Sequence, residues 1–319
     1  MNHWTSRRSI LGAPFLLPAM LAPRGAKAQG RFPQRDLSWI IYQSPGGSID
    51  LNTRTVQPFL EARGFRSTLD YATGAGGRVA RTKLFTARPD GHTVMTEVAP
   101  GVSVDTALFD VPYKATDFSP VYGWVAQPGQ VCTRKGGPIK NVEDLIAACR
   151  SRRVVLGSIG RGGAHHLLLL ALRRDLGIQF DIAHFNGSAG AYAAVTGGHI
   201  DAACSGLSSA ARALDSLQII GVVADTRAMA LPDTPTFTEQ GHRAQSVEQL
   251  FFASVRSTVP AERRTALTNV FREAFQDPEL LARMNRQGEE LKLMEPAEVA
   301  ARLNAEQALV EEFKEALKA

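Results

Sequence analysis

The chain has 319 residues, with 36 basic against 31 acidic side chains, 44% hydrophobic residues and a formal charge of +5. Four of those bases, Arg7, Arg8, Arg24 and Lys27, fall in the first 28 positions, which hold no acid, so the rest of the chain is nearly neutral. The remaining cations are scattered among acids, which excludes the basic stripe of a nucleic-acid binder. The sparse, odd set Cys132, Cys149 and Cys204 forms neither a disulfide framework nor a zinc pattern; buried packing is expected, with one disulfide pair left open.

Residues 1–28 have the parts of a cleavable export signal: Arg7-Arg8, an apolar run over 10–22, then Ala26-Lys27-Ala28. Ser6-Arg7-Arg8-Ser9-Ile10-Leu11 approximates the twin-arginine pattern, with Ile where Phe is usual, and favours that route to the periplasm. A membrane anchor fits less well, because Pro14 and Pro18 interrupt a run shorter than the roughly 20 residues a span requires. About 290 further residues exceed the usual size of one core, so two domains are expected.

Residues 37–42 read as a buried strand, and Ile49, Val56, Phe59 and Leu60 share a helical face before Gly64. A strand over 66–71, a helix over 77–86, a turn at 87–91 and a strand over 92–98 complete a βαβαβ series, the mark of a parallel sheet covered by helices. After Lys135-Gly-Gly-Pro138 a second series begins, with Asn141 capping a helix over 142–149 and a strand at 154–157. A helix starting at Gly163 or Ala164 runs to Gly177; a strand at 182–185, a helix at 189–196 and strands at 200–203 and 218–224 follow. Beyond Pro260 the chain turns helical, over 260–275, 278–287 and 296–317, with Pro278 and Pro296 in first turns. The last helix is amphipathic through Leu303, Leu309, Val310 and Phe313. The expected fold is α/β with two lobes, each a mainly parallel sheet flanked by helices. Residues 29–131 plus 249–319 form one lobe and 132–248 the other.

Glycine clusters stand at the carboxyl ends of the strands, where open α/β sheets bind ligands: Pro45-Gly46-Gly47, Gly74-Ala-Gly-Gly77 and Gly157-Ser-Ile-Gly-Arg-Gly-Gly163. Each precedes a helix whose first N–H groups favour an anion. None completes a nucleotide fingerprint, since Val79 and His165 stand where a third Gly is required and no Gly-Lys-Ser/Thr occurs. Leu156-Gly-Ser-Ile-Gly160 misses the nucleophile elbow at its first position. His165 and His166 are adjacent on a helix and point apart, so with His184 they read as structural or hydrogen-bonding residues, and no metal or cofactor is expected.

Pro45-Gly-Gly-x-x-Asp50, Thr73-Gly-Ala-Gly-Gly77, Arg88-Pro-Asp-Gly-His-Thr93, Lys114-x-x-Asp-Phe-Ser-Pro-Val121, Ser158-x-Gly-x-Gly-x-x-x-His166-Leu167, Gly197-Gly-His-Ile-Asp201 and Leu231-Pro-Asp-Thr-Pro-Thr236 occur in this order. Together they resemble the periplasmic receptors of tripartite tricarboxylate transporters, the Bug family, over nearly all of the chain after residue 32. The resemblance implies a monomeric two-lobe receptor, with the ligand in the interlobe cleft, that closes on a small organic acid and hands it unchanged to membrane permease subunits. It implies that backbone amides and water, rather than a fixed Arg, hold a carboxylate between the first loop and the second-lobe loops. Ser44, Gly46, Gly47, Ser48 and Asp50 match the first loop, Ala75 and Gly76 the second, and Ser158, Gly160, Gly162 and His166 the third; Asp50 fits a helix cap as well as a ligand contact. The chain departs from the family's usual residues at Ala183-His-Phe-Asn-Gly187, where Phe185 takes the aromatic place and His184 and Asn186 replace Pro and Lys, and at Tyr42-Gln-Ser. Those departures leave the identity of the acid open, whether di- or tricarboxylate or aromatic. A solute sensor for a signalling partner, and a hydrolase using Ser158 or His166, are the competing readings.

Overall fold

The computed structural model describes residues 32–318 and Met1, so the expected export signal lies, apart from its first residue, outside the described residues. The first series begins with strand β1 (Leu37–Ile41) and helix α1 (Ser48–Glu61), which buries Ile49, Val56, Phe59 and Leu60. Strand β2 (Ser67–Tyr71), helix α2 (Arg78–Thr86) and strand β3 (Thr93–Val98) follow; β2 and β3 pair with β1 in parallel. Helix α3 (Gly101–Leu108) leads to β4 (Phe118–Arg134).

The second series opens with α4 (Val142–Ser151), whose cap Asn141 accepts the Asp144 N–H at 2.8 Å. It continues through β5 (Val155–Ile159), α5 (Ala164–Leu176), β6 (Asp181–Phe185), α6 (Ser188–Thr196) and β7 (Ala202–Gly206). Strands β6 and β7 flank β5 in parallel. Helix α7 (Leu207–Ala211) and strand β8 (Leu217–Val222) close this series, and β9 (Glu248–Arg256) returns to the first. Helices α8 (Ala261–Ala274) and α9 (Pro278–Arg286), strand β10 (Leu291–Met294) and helices α10 (Pro296–Glu312) and α11 (Lys314–Lys318) end the chain.

The strands form one sheet in the order β2-β1-β3-β9-β4-β7-β5-β6, with β8 and β10 also on β4. Each half thus keeps its parallel trio, as expected, but β4 and β9 add antiparallel pairing, so the sheet is mixed rather than mainly parallel. Strand β4 passes from one half to the other: its first part pairs with β9, its second with β7 and β8. At the crossing stands Gly129, where an added Cβ would lie 2.1 Å from Leu168 Cδ2 of α5. Gly129→Ala is expected to cost about 1–3 kcal/mol through overpacking; an unchanged urea midpoint would mean that α5 does not press on β4 there.

In the first half Trp39 and Trp124 pack on Phe271, while their indole N–H groups donate to Thr96 and Asn52. The last helices serve both halves, because Val299 packs with Leu250 and Phe252, whereas Leu309, Val310 and Leu317 join the core around α5. The single final helix expected from the sequence is two, α10 and α11. Cys132 and Cys204 are buried with free thiols, and Cys149 is half-buried and free. Cys204 pairs in register with Val131, which puts Cys132 and Cys204 on opposite faces of the sheet and out of reach of a mutual disulfide. No helix of the described residues is long and apolar enough to cross a membrane.

Candidate functional site

A cavity of about 580 Å³ opens at the carboxyl ends of β1, β3 and β5. Its first wall is made by Tyr42 and Gln43, the turn 75–78, residues 98–101 and the inner face of α3; its second by residues 159–165 and Asn186, with Gln249 and Leu317 at the margins. The walls touch where Gly162 meets Val104: a Cβ on Gly162, whose φ is 76°, would come within 2.9 Å of the valine methyl.

Arg81, only 1% exposed, lies at the base of the first wall. It forms a two-pronged bond with Glu97 at 2.8 and 2.6 Å, reaches Asp105 at 2.6 Å and donates to the Gly76 carbonyl at 3.2 Å. Burial opposes its charge, but the Glu97 and Asp105 carboxylates outweigh that and raise its pKa. Tyr113 donates to Asp105 at 2.8 Å, and the Tyr42 ring lies 5.3 Å from the guanidinium. Burial, with Glu97 nearby, pushes the Tyr42 hydroxyl above its usual range. A Cβ on Gly101 would be 1.9 Å from Arg81 Nη2, so α3 can start against this cluster only with glycine. Nearer the rim, Arg78 stacks on Phe109 at 3.7 Å and comes within 3.7 Å of Asp105.

On the second wall α5 begins without a side-chain cap. The Ala164 and His165 amides meet no acceptor among the described residues, since the local bonds run from His166 and Leu167 to the Gly163 carbonyl. His165 is 4% exposed and hydrogen-bonds the Ile159 carbonyl, leaving Nε2 buried without a partner. Burial pushes it down to about 4, so the ring is neutral at pH 7. His166 Nδ1 accepts the Gly162 N–H at 3.1 Å, and its ring lies edge-on to His184 at 4.4 Å; burial first, then the charges of His184, Arg161 and Arg173, push it down to about 3.

The sequence model described as the tripartite tricarboxylate transporter family receptor matches residues 61–313. The chain belongs to this receptor family. It is 25% identical over 288 residues to a UPF0065 protein of Bordetella bronchiseptica, covering 89% of this chain and 85% of that one. Among solved structures it superposes on a Rhodopseudomonas palustris protein with adipate, Rpa4515, at a TM-score of 0.77 and 22% identity, covering 90% and 98% of the two chains. MatC of the same organism, with bound malate, gives 0.74 at 22% identity, covering 89% and 100%. At such identities these structures speak for the two-lobe α/β binding-protein fold.

In this receptor Ala75, Gly76, Gly160, Gly162 and Asn186 line the cavity, whereas Ser44, Gly46, Gly47, Ser48 and Asp50 do not. The first loop turns its donors inward. Asp50, 2% exposed, accepts the Gly46 N–H at 2.8 Å, Arg54 Nε at 2.8 Å and the Tyr71 hydroxyl at 2.5 Å. Although burial opposes it, those bonds hold the Asp50 carboxyl below its ordinary pKa. Asp50 therefore clasps the loop to α1, while Gln43, one residue before the matched segment, faces the cavity. Ser158 is fully buried and donates to the Gly160 carbonyl at 3.3 Å. His166 supports Gly162 from behind, His184 covers His166, and Phe185 packs with Ala191 and Val195. The lining residues missed from the sequence include Arg78, Arg81, Asp105 and His165, while Gln43 was marked only as part of the departure at Tyr42-Gln-Ser. A charged residue on the buried face of α2, beside Ala80 and Leu84, was the signal for Arg81. No group of three or more His, Cys, Asp or Glu among the described residues is placed to hold a metal.

Proposed function

We propose that this protein is the extracytoplasmic receptor that captures a small carboxylated solute in this cleft and passes it, unchanged, to the membrane subunits of a tripartite tricarboxylate transporter. The observation that carries the reading is the cleft itself: about 580 Å³ at the carboxyl ends of the strands, with unpaired helix-start amides on one wall, in a chain of this receptor family. Adipate and malate bound to two proteins of the same fold support a carboxylate as the ligand class. Lobes of residues 29–131 plus 249–319 and of 132–248 close on the ligand, bending where β4 crosses and where the chain returns into β9. Residues 1–28 direct export to the periplasm, by the twin-arginine route, and the receptor acts as a monomer.

The absence of turnover is part of the proposal. Ser158 is buried in β5 with its hydroxyl bonded to the Gly160 carbonyl, and His166 Nδ1 already accepts the Gly162 N–H, so neither is set up as a nucleophile and its base. A panel of organic acids in a thermal-stability assay tests the reading. At one hundred times its Kd a ligand is expected to stabilise the protein by about 2.7 kcal/mol, with compaction in X-ray scattering and recovery of the acid intact. Indifference to every acid, or recovery of a product, would sink it.

A further inference from the structure

The two walls of the cleft differ in what they leave free. Beside the first, the loop entering α1 commits four donors, beginning with Gly46 N–H to Asp50 at 2.8 Å, Gly47 N–H to the Ser44 carbonyl at 3.1 Å and Leu51 N–H to the Gly47 carbonyl at 2.9 Å, while the Ser48 and Asp50 amides, which meet no acceptor among the described residues, belong to residues outside the cavity lining. Ile49 N–H, in the first turn of α1, goes to the Gln43 amide oxygen at 2.9 Å. That oxygen stands where an incoming carboxylate would have to stand, and it is pressed so close to the loop that a Cβ on Gly47 would lie 2.6 Å away. Deeper on this wall Arg81 has committed its Nε, Nη1 and Nη2 to Glu97, Asp105 and the Gly76 carbonyl. Arg78 is held between the Phe109 ring and Asp105. The side chains of the rest of the wall are mainly apolar, through Val98, Pro100, Val104 and Leu108, and its one α-helix-start amide in the lining without an acceptor among the described residues is that of Gly101.

The second wall leaves more free. Among the described residues the Ala164 and His165 amides meet no acceptor and the buried His165 ring keeps Nε2 unpartnered, while Arg161, bonded to the Lys318 carbonyl at 2.8 Å, adds a cation at the rim.

Resting on the carboxylate-receptor reading, we infer that Gln43 and the Arg81–Glu97–Asp105 cluster restrict the ligand to acids with a single carboxylate and an uncharged, apolar body. The carboxylate sits on the second wall and the body lies on the first. A second carboxylate reaching the first wall loses its water, finds the Ile49 amide occupied and the guanidinium of Arg81 already paired, and approaches Asp105 and Glu97. The side-chain oxygen of Gln43 acts as a built-in replacement for that second carboxylate.

Calorimetric titration with acids matched in length tests this: hexanoate against adipate, 4-methylbenzoate against terephthalate, and phenylacetate against 1,4-phenylenediacetate. Within the pair that fits, the monoacid is expected to bind about tenfold tighter or more. In Gln43→Ala, which frees the Ile49 amide, that ratio is expected to fall towards one. A diacid binding as tightly as its monoacid partner in the unaltered receptor, or a ratio that Gln43→Ala leaves in place, overturns this inference and leaves the receptor reading standing. Silence towards all six acids overturns both.

Discussion

Arg81→Met is expected to lower the free energy of unfolding by about 3–5 kcal/mol, read from urea denaturation at pH 7. The side chain is 1% exposed, and its partners Glu97 and Asp105 are nearly as deeply buried. Methionine replaces the volume but leaves two carboxylates in the protein interior with no cation between them, and it is this uncompensated charge, more than the lost ion pairs, that sets the size of the effect. Removing the charges together separates the two contributions: the triple variant Arg81→Met, Glu97→Gln, Asp105→Asn should recover much of the loss. The single variant should also weaken ligand binding, because Arg81, Tyr42 and the start of α3 form one packed base beneath the cleft. Stability of Arg81→Met within about 1 kcal/mol of the unaltered protein would mean that these carboxylates reach water and that the base of the cleft is not dry.

Acid is expected to destabilise the receptor well above the range in which its carboxylates titrate. His165 is pushed down to about 4 and His166 to about 3, both chiefly by burial. The unfolded chain, with ordinary histidines, takes up protons first, so the stability these rings contribute is complete above about pH 6.5 and is lost as the pH falls towards their folded values. Between pH 7 and 4.5 the loss should be about 2–3 kcal/mol for each ring. Protonating His166 also removes the acceptor of the Gly162 N–H, so the loop on the second wall should loosen in the same window. Urea midpoints measured across that range provide the check, and His165→Asn should flatten the profile. A profile already flat in the unaltered protein would show that the two rings are open to water.

The parallel trios of both halves were legible because their strands are short runs with apolar centres, followed at the end or a few residues on by glycine, and a helix such as α1 shows its buried face in spacing alone, through Ile49, Val56, Phe59 and Leu60. Strand β4 was not legible. Pro120, Gly123, Pro128 and Gly129 look like breakers, yet Pro120 and Gly123 stand at irregularities in the pairing with β9, and Gly129 is required by the approach of Leu168. The site was half legible for a related reason. Glycines mark where loops can face a cleft: Gly76–Gly77 and Gly160–Gly163 line the cavity at the ends of their strands, whereas Gly46 and Gly47 of the first cluster lie outside its lining. What fills the cleft depends on side chains far apart in sequence, such as Arg81, Glu97 and Asp105, which meet only once α2, β3 and α3 have packed. Gln43 was visible as part of a departure from the family's usual loop, but its bond to Ile49, which turns the loop inward, belongs to the fold.

The central claim, that this cleft receives one carboxylate on its second wall, is tested most directly by a crystal structure with the tightest-binding acid of the panel. The account predicts a carboxylate within hydrogen-bonding distance of the Ala164 and His165 amides, the body of the acid against Val98, Pro100 and Phe109, and Gln43 still bonded to Ile49. An acid seated outside the cleft, or one whose carboxylate displaces Gln43 from the start of α1, would contradict it.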